Sequence, residues 1–251
     1  MIFTSFTMMT RFYLDVEFTN GNYYLADIIE IALVAEDSGY TFHSYVKIHY
    51  SIPRQVQELT NISNNMTRTI GLSFTKVMEG LVEFIDQESD SLPPIIIAHG
   101  GYLHDFPILL ANCMKHNIDY TPLTMYTFVD SMQLFQDDGY TKPGLDALCE
   151  HFHLDSKRHS ALEDAKVLKT ICNMIPEIMD HPYGYTLKDI RHHLDIKLPI
   201  SILSIYELAR YCSSYQELEN VLYEHITRKT ALNKAVVCKV AYWFFKDRYK
   251  L

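Results

Sequence analysis

The hydrophobic pattern changes period along the chain, and each change marks an element. From Arg11 to Phe18 (RFYLDVEF) the positions are apolar or aromatic apart from Arg11, Asp15 and Glu17, which predicts a buried strand. The run Ile28–Glu36 predicts a second strand, and the alternating, aromatic-rich run Tyr40–Ile48 a third. The junctions TNGNYY and EDSGY carry turn residues, so these three are expected to form an antiparallel meander. The period then shifts: Phe74, Val77, Met78, Leu81, Phe84 and Ile85 recur at steps of three and four and predict an amphipathic helix over Leu72–Asp86. A short apolar strand is expected between Pro94 and Gly100, a helix from Leu103 to His116, and another short strand over Tyr126–Ser131. Helices follow over Gly144–Phe152 and Ser160–Met174. A meander followed by alternating strands and helices predicts an α/β fold with a mixed five-stranded sheet flanked by helices.

The stretch Asp180–Thr186 (DHPYGYT) interrupts this pattern, and beyond it the segments SILSIYELARYC, YQELENVLYEHI and TALNKAVVCKVAYWFFKDRY all read as helical. A boundary there divides the 251 residues into a main domain, 1–180, and a C-terminal helical extension, 181–251, near the lower size limit for an independent core. Charge changes at the same place. The net charge is -9, but residues 181–251 hold 11 Lys/Arg against 7 Asp/Glu. An acidic body with a basic tail is compatible with a nucleic-acid ligand held by metal ions and local contacts, and equally with none.

Five widely spaced cysteines without a CxxC pair read as reduced thiols of an intracellular protein, cytoplasmic or nuclear. The N-terminal MIFTSFTMMTRF lacks the basic and apolar regions of a signal peptide, so secretion is not expected. No apolar run approaches the ~18 residues a membrane helix needs.

Four acids stand in core-like surroundings. Asp15 and Glu17 are two apart on one strand and therefore share a face. Asp105 opens a mostly apolar helix, and Asp164 lies between Leu162 and Ala165 beside the apolar stripe of RHSALEDAKVLKTIC. Like charges repel, and each is costly to bury unpaired. One explanation covers all four: they meet at one place and share two divalent cations about 4 Å apart, which turns repulsion into coordination. Oxygen donors favour Mg²⁺, which commonly keeps waters and substrate phosphates as its other ligands. His159 lies five residues before Asp164, about 140° away within one helix. If His159 instead precedes the helix, with Ser160 as N-cap and Glu163 at the capping-box position, its ring can turn towards the same site. A neutral His there can take a proton from an attacking water.

These residues resemble the three motifs of the DEDDh, or DnaQ-like, 3′–5′ exonucleases of the ribonuclease H-like fold. FYLDVEFTNGNYYLADIIEIALV resembles the first motif, D-x-E-x-T-G with its I-I-E-I strand. PIIIAHGGYLHDFPILL is similar to the second, A-H-N-G-x-x-F-D, with Gly100 where Asn is usual and His104 where Phe is usual. HSALEDA is similar to the third, H-x-A-x-x-D-A. VQELTNISNNM, FVDSMQLF and KPGLDALCEHFHL resemble the connecting segments, so the likeness spans residues 11–176 in order. The resemblance implies a ribonuclease H-like sheet, with Asp15, Glu17 and Asp164 as direct ligands of two Mg²⁺ (or Mn²⁺) ions and Asp105 acting on the second ion. It implies His159 as general base and nucleoside 5′-monophosphates released from single-stranded or frayed 3′ ends of DNA or RNA. The family's T-G pair touches the terminal nucleotide; here Thr19-Asn20 precede a displaced Gly21. The alternative is a catalytically weak or inactive nuclease fold that binds nucleic acid or a protein.

The other histidines read as structural or solvated. His151 with His153, and His192 with His193, lack metal-site spacing with other ligands. Tyr242, Trp243, Phe244 and Phe245 span more than one helix turn, so packing against the body is favoured over base stacking.

Overall fold

The computed structural model describes residues 9–89, 93–141, 143–154, 159–179, 184–199, 202–226 and 230–246; part of the expected boundary, residues 180–183, lies outside these. The meander forms as β1 (Arg11–Phe18), β2 (Ile28–Ala35) and β3 (Thr41–Tyr45). After it come α1 (Arg54–Thr60), α2 (Asn64–Thr69), α3 (Phe74–Glu88), β4 (Ile95–Ala98), α4 (Asp105–Lys115) and β5 (Thr127–Asp130). Next are α5 (Ser131–Asp137), α6 (Leu145–His151), α7 (Ala161–Met174), β6 (Gly184–Tyr185) and α8 (Leu187–Lys197). The chain ends in α9 (Ile202–Ala209), α10 (Tyr215–His225) and α11 (Ala231–Phe245).

The strands lie in the order β3-β2-β1-β4-β5-β6. β1 is antiparallel to β2 and parallel to β4, β4 is parallel to β5, and the two-residue β6 adds an antiparallel edge to the five expected strands. All eight residues of β2 are buried, as expected for a strand covered on both faces.

The strand period decides which face each residue serves. Phe12, Leu14 and Val16 of β1 join α3, α4 and the C-terminal helices in one apolar cluster; Tyr13 joins α5, α6 and α7 in another. α7 packs across β1 and β2. α3 presents Phe74, Val77, Met78, Leu81 and Ile85 to the core from a turn capped by Ser73, whose hydroxyl accepts from Lys76 N. α4 is buried from Asp105 to Met114 because the sheet covers one side and α8 and α11 the other. Asn112 is its one buried amide within that apolar stretch. Its Nδ2 donates to Ala26 O (3.2 Å) and Ile108 O (2.9 Å), and its Oδ1 accepts from Ile28 N (3.4 Å). It thereby fixes the start of β2 against the helix.

The helical segment after β6 shares the larger cluster: Leu187, Leu194, Leu218, Val237 and Val240 belong to it with Phe12 and Val16. Tyr24 ties the two together, donating from its hydroxyl to Leu194 O (2.7 Å) with its ring 6.1 Å from that of Trp243. Trp243 and Phe245 are buried, in line with packing, whereas Tyr242 is exposed. No helix among the described residues is long and apolar enough to cross a membrane.

Candidate active site

β4 pairs only with Arg11–Tyr13 of β1, so the C-terminal half of β1 has an open edge on that side. This is where the sheet changes from antiparallel to parallel neighbours, the kind of crevice in which open α/β sheets place their sites. Asp15 and Glu17, both half-buried, lie on that half of β1, on the face opposite Val16 and hence towards α7. Asp105, at the first position of α4, fills the open edge: its Oδ1 accepts from Val16 N (3.1 Å). Asp105 is almost wholly buried, and its carboxyl is pushed up to about 7, chiefly by burial; the Val16 N–H opposes this, and the carboxylates of Asp130 and Asp164 add to it. Near neutrality a proton and a cation would compete for this group.

From the other side, α7 supplies Asp164, and His159, just before the N-cap Ser160, supplies the imidazole. Glu17, His159 and Asp164 each offer a ligand atom, and these atoms lie within 4.8 Å of one another. Asp15 and Asp105 flank this trio without joining it. His159 stands before the helix with a left-handed backbone (φ 67°), and its N–H donates to Asp164 Oδ2 (3.2 Å). A bulky residue at positive φ is costly outside sites that over-determine it.

The local reason for this arrangement is a residue the motif reading passed over. Ser160 is at the N-cap but its hydroxyl accepts no bond from α7, and Glu163 accepts from Lys166 (2.8 Å), so the expected capping box does not form. Glu30 of β2 takes its place. This buried acid faces Glu17 across the ladder. Its Oε2 accepts from Ala161 N (3.1 Å) and its Oε1 from Ser160 Oγ (3.4 Å), and His43 Nε2 lies 2.6 Å from Oε1. A carboxylate at a helix N-terminus satisfies an orphan N–H and complements the helix dipole. The signal was legible: an acid flanked by Ile29 and Ile31 is as anomalous as Asp15 and Glu17.

Asp130, also passed over, holds the second motif. It accepts from Gly100 N (2.9 Å), Tyr102 N (3.1 Å) and Met132 N (3.0 Å), and so clamps the turn before Asp105 to the start of α5. Gly100 has a left-handed backbone (φ +73°), and a Cβ at Gly101 would lie 2.7 Å from Ala98 Cβ and the Phe106 ring. His99 is held with its Nδ1 2.9 Å from Ser131 Oγ, and His104 is exposed. His193 is not solvated as expected: it is buried, with Nε2 3.2 Å from the Tyr23 hydroxyl and its ring 4.9 Å from Tyr102, which stacks on Tyr185 (4.1 Å). These rings wall the turn because α8 and β6 bring His193 and Tyr185 against it.

The donor set fits hard divalent cations: two carboxylates and an imidazole within reach of one another, with Asp15 beside Glu17 on β1 and the Asp105 carboxyl at the strand edge.

Residues 12–172 match the RNase_T family, described as an exonuclease family. The match covers more than half of the chain, and the chain belongs to this family. No curated protein sequence matches it. Among solved structures, cell-death related nuclease 4 (CRN-4) superposes with a TM-score of 0.63 at 17% identity, over 93% of this chain and 97% of that one. The nuclease domain of 3′hExo, a DEDDh family member bound to rAMP, gives 0.61 at 15% identity, over 72% and 98%. A full-length 3′-exonuclease gives 0.57 at 16% identity, over 70% and 62%. The fold is that of the ribonuclease H-like DEDDh nucleases, and the protein is a nuclease of the exonuclease family whose substrate is nucleic acid.

Proposed function

We propose that the protein is a 3′–5′ exonuclease that releases nucleoside 5′-monophosphates from DNA or RNA, with residues 1–180 as the exonuclease domain and 181–251 as a helical extension. The observation that carries this reading is the approach of Glu17, His159 and Asp164 within 4.8 Å, beside Asp105 at the open edge of β1. Asp15, Glu17 and Asp164 would hold the metal ions directly, with Asp105 as a further ligand for the second ion. Two bound Mg²⁺ or Mn²⁺ ions would supply charge neutralisation at the scissile phosphate and acidify the attacking water. His159 takes the proton from that water as its oxygen bonds to phosphorus and the bond to the 3′ oxygen breaks. That oxygen takes a proton from solvent and becomes the new 3′ hydroxyl. Glu30 and Asp130 hold the two segments that carry these groups.

Gly100 and His104, which depart from the family's second motif, are the features that favour the weaker-enzyme or binding-module reading. Incubation with 3′-labelled single-stranded DNA and RNA separates the two. We expect mononucleotide release with Mg²⁺ or Mn²⁺, abolished by EDTA and by Asp15→Ala. Release that survives Asp15→Ala would refute the assigned site, and no release from either strand would favour the binding module.

A further inference from the structure

A second concave site lies at the far end of α4, where α11 crosses the chain following β3. It is a cavity of about 590 Å³, within the range of about 300–1,000 Å³ usual for ligand sites, and its chemistry is basic and aromatic. Lys47, Lys115, Lys239 and Lys246 line it, with Asp27 as the acid among the lining residues. Lys115 is committed to Asp27, whose Oδ2 also accepts from the Tyr50 hydroxyl (2.5 Å). Among the described residues, Lys47, Lys239 and Lys246 make no ion pair. The protein as a whole is acidic, at -9, so three uncompensated ammonium groups around one cavity are not a product of general basicity. Their mutual field is felt inside: His116, at the cavity wall, is pushed down to about 4, first by burial and then by Lys115, Lys246 and Lys239. The charge at this site suits an anion.

The rings narrow the choice of anion. Tyr50 and Tyr242 are exposed, at 45% and 42%, and both line the cavity, with Trp243 below. Ammonium groups beside partly exposed tyrosines suit a phosphate joined to a planar base. The cavity is also tied to the strand of the catalytic crevice through Tyr50. The Tyr50 hydroxyl lies 3.2 Å from Thr19 Oγ1, and Thr19 immediately follows the strand that carries Asp15 and Glu17. Lys115 is the last residue of the helix that Asp105 opens, so the two sites are separated by about the length of α4, roughly 15 Å. At about 3.4 Å per stacked nucleotide that is a reach of about four nucleotides.

The geometry points to a strand-anchoring site: the cavity framed by Lys47, Lys239, Lys246, Tyr50 and Tyr242 binds the phosphate backbone and a base of single-stranded nucleic acid about four nucleotides 5′ of the bond being cut. This rests on the exonuclease reading for its direction along the strand, but not for the binding itself. The basic C-terminal helix then has a role the catalytic cluster does not give it: it holds the substrate that an acidic body would otherwise repel.

The test uses the full chain with Lys239→Gln/Lys246→Gln, and Lys239→Arg/Lys246→Arg as the charge-retaining control, after thermal unfolding shows each variant folded. Binding of a 5′-labelled 20-nucleotide single strand is read by fluorescence anisotropy in EDTA. The Gln pair is expected to weaken binding at least about 10-fold and to flatten the slope of log K against log salt by about 1.4; the Arg pair keeps wild-type affinity. With Mg²⁺, the Gln pair raises KM for the 20-mer about as much as it weakens binding and leaves turnover of a dinucleotide unchanged. Wild-type affinity in the Gln pair overturns the anchoring site, and so does equal loss on 20-mer and dinucleotide. If inorganic phosphate alone stabilises the wild type but not the Gln pair, while strand binding is the same in both, the site takes a free anion and the proposal is wrong. If the wild type cuts nothing but the Gln pair still weakens binding, the exonuclease reading fails and the anchoring site stands.

Discussion

Glu30 shows how much of this site depends on a side chain that need never meet the substrate. Its carboxylate closes the N-terminus of α7, and through that helix it sets where Asp164 and His159 stand relative to Glu17. Removing it leaves the buried Ala161 N–H without its acceptor, a loss of about 1–3 kcal/mol. For Glu30→Ala we predict a lower thermal midpoint and a kcat reduced about 10-fold or more with KM little changed, as for other residues that orient metal ligands. Glu30→Gln, which keeps an acceptor for Ala161, should recover most of the stability. Unchanged kcat in Glu30→Ala would show that α7 is positioned without it. The four acids were legible because each interrupts an apolar run. The capping box was misread because a serine followed by a glutamate three residues later carries no sign that a carboxylate from another strand takes the Ser160 hydroxyl and the Ala161 N–H.

At the scale of elements, the strands β1, β2, β4 and β5 follow the apolar runs closely, since burial on both faces writes itself into composition. The short helices α1, α2 and α5 escaped because each buries at most two apolar residues, too few to show a period, whereas α6, equally short, is legible through Leu145, Leu148 and Cys149. β6 escaped for the same reason: two residues, one of them Gly184, pair only because β5 offers an edge. The turn between β4 and α4 is where the element boundaries carry most of the function. Its second glycine has no room for a side chain, so Gly101→Ala must push Ala98 or Phe106 aside. We expect it to cost about 1–3 kcal/mol, seen as a lower denaturant midpoint with unchanged slope. A midpoint equal to wild type would mean that the turn can relax without strain.

For the whole molecule, the sequence separated an acidic body from a basic tail, but not the place where the two meet. Contacts between α4 and α11 depend on tertiary packing, and nothing local announces that Lys115 and His116 will lie near Lys239 and Lys246. The consequence is a pH dependence. His116 has a folded-state pKa depressed to about 4, below its ordinary value of 6.5. Between those values the unfolded chain binds more protons than the folded one, so stability falls as pH drops from 6.5 towards 4. His116→Gln should flatten this limb in urea titrations at a series of pH values; an unaltered limb would place the effect elsewhere.

All of these scales converge on whether Asp15, Glu17, Asp105 and Asp164 share cations. Anomalous diffraction from a crystal of the protein grown with Mn²⁺ tests this most directly. The account predicts two peaks about 4 Å apart, in the crevice between β1 and α7, each within bonding distance of these carboxylates. Manganese bound only elsewhere, or a crevice without a peak at saturating Mn²⁺, would contradict it.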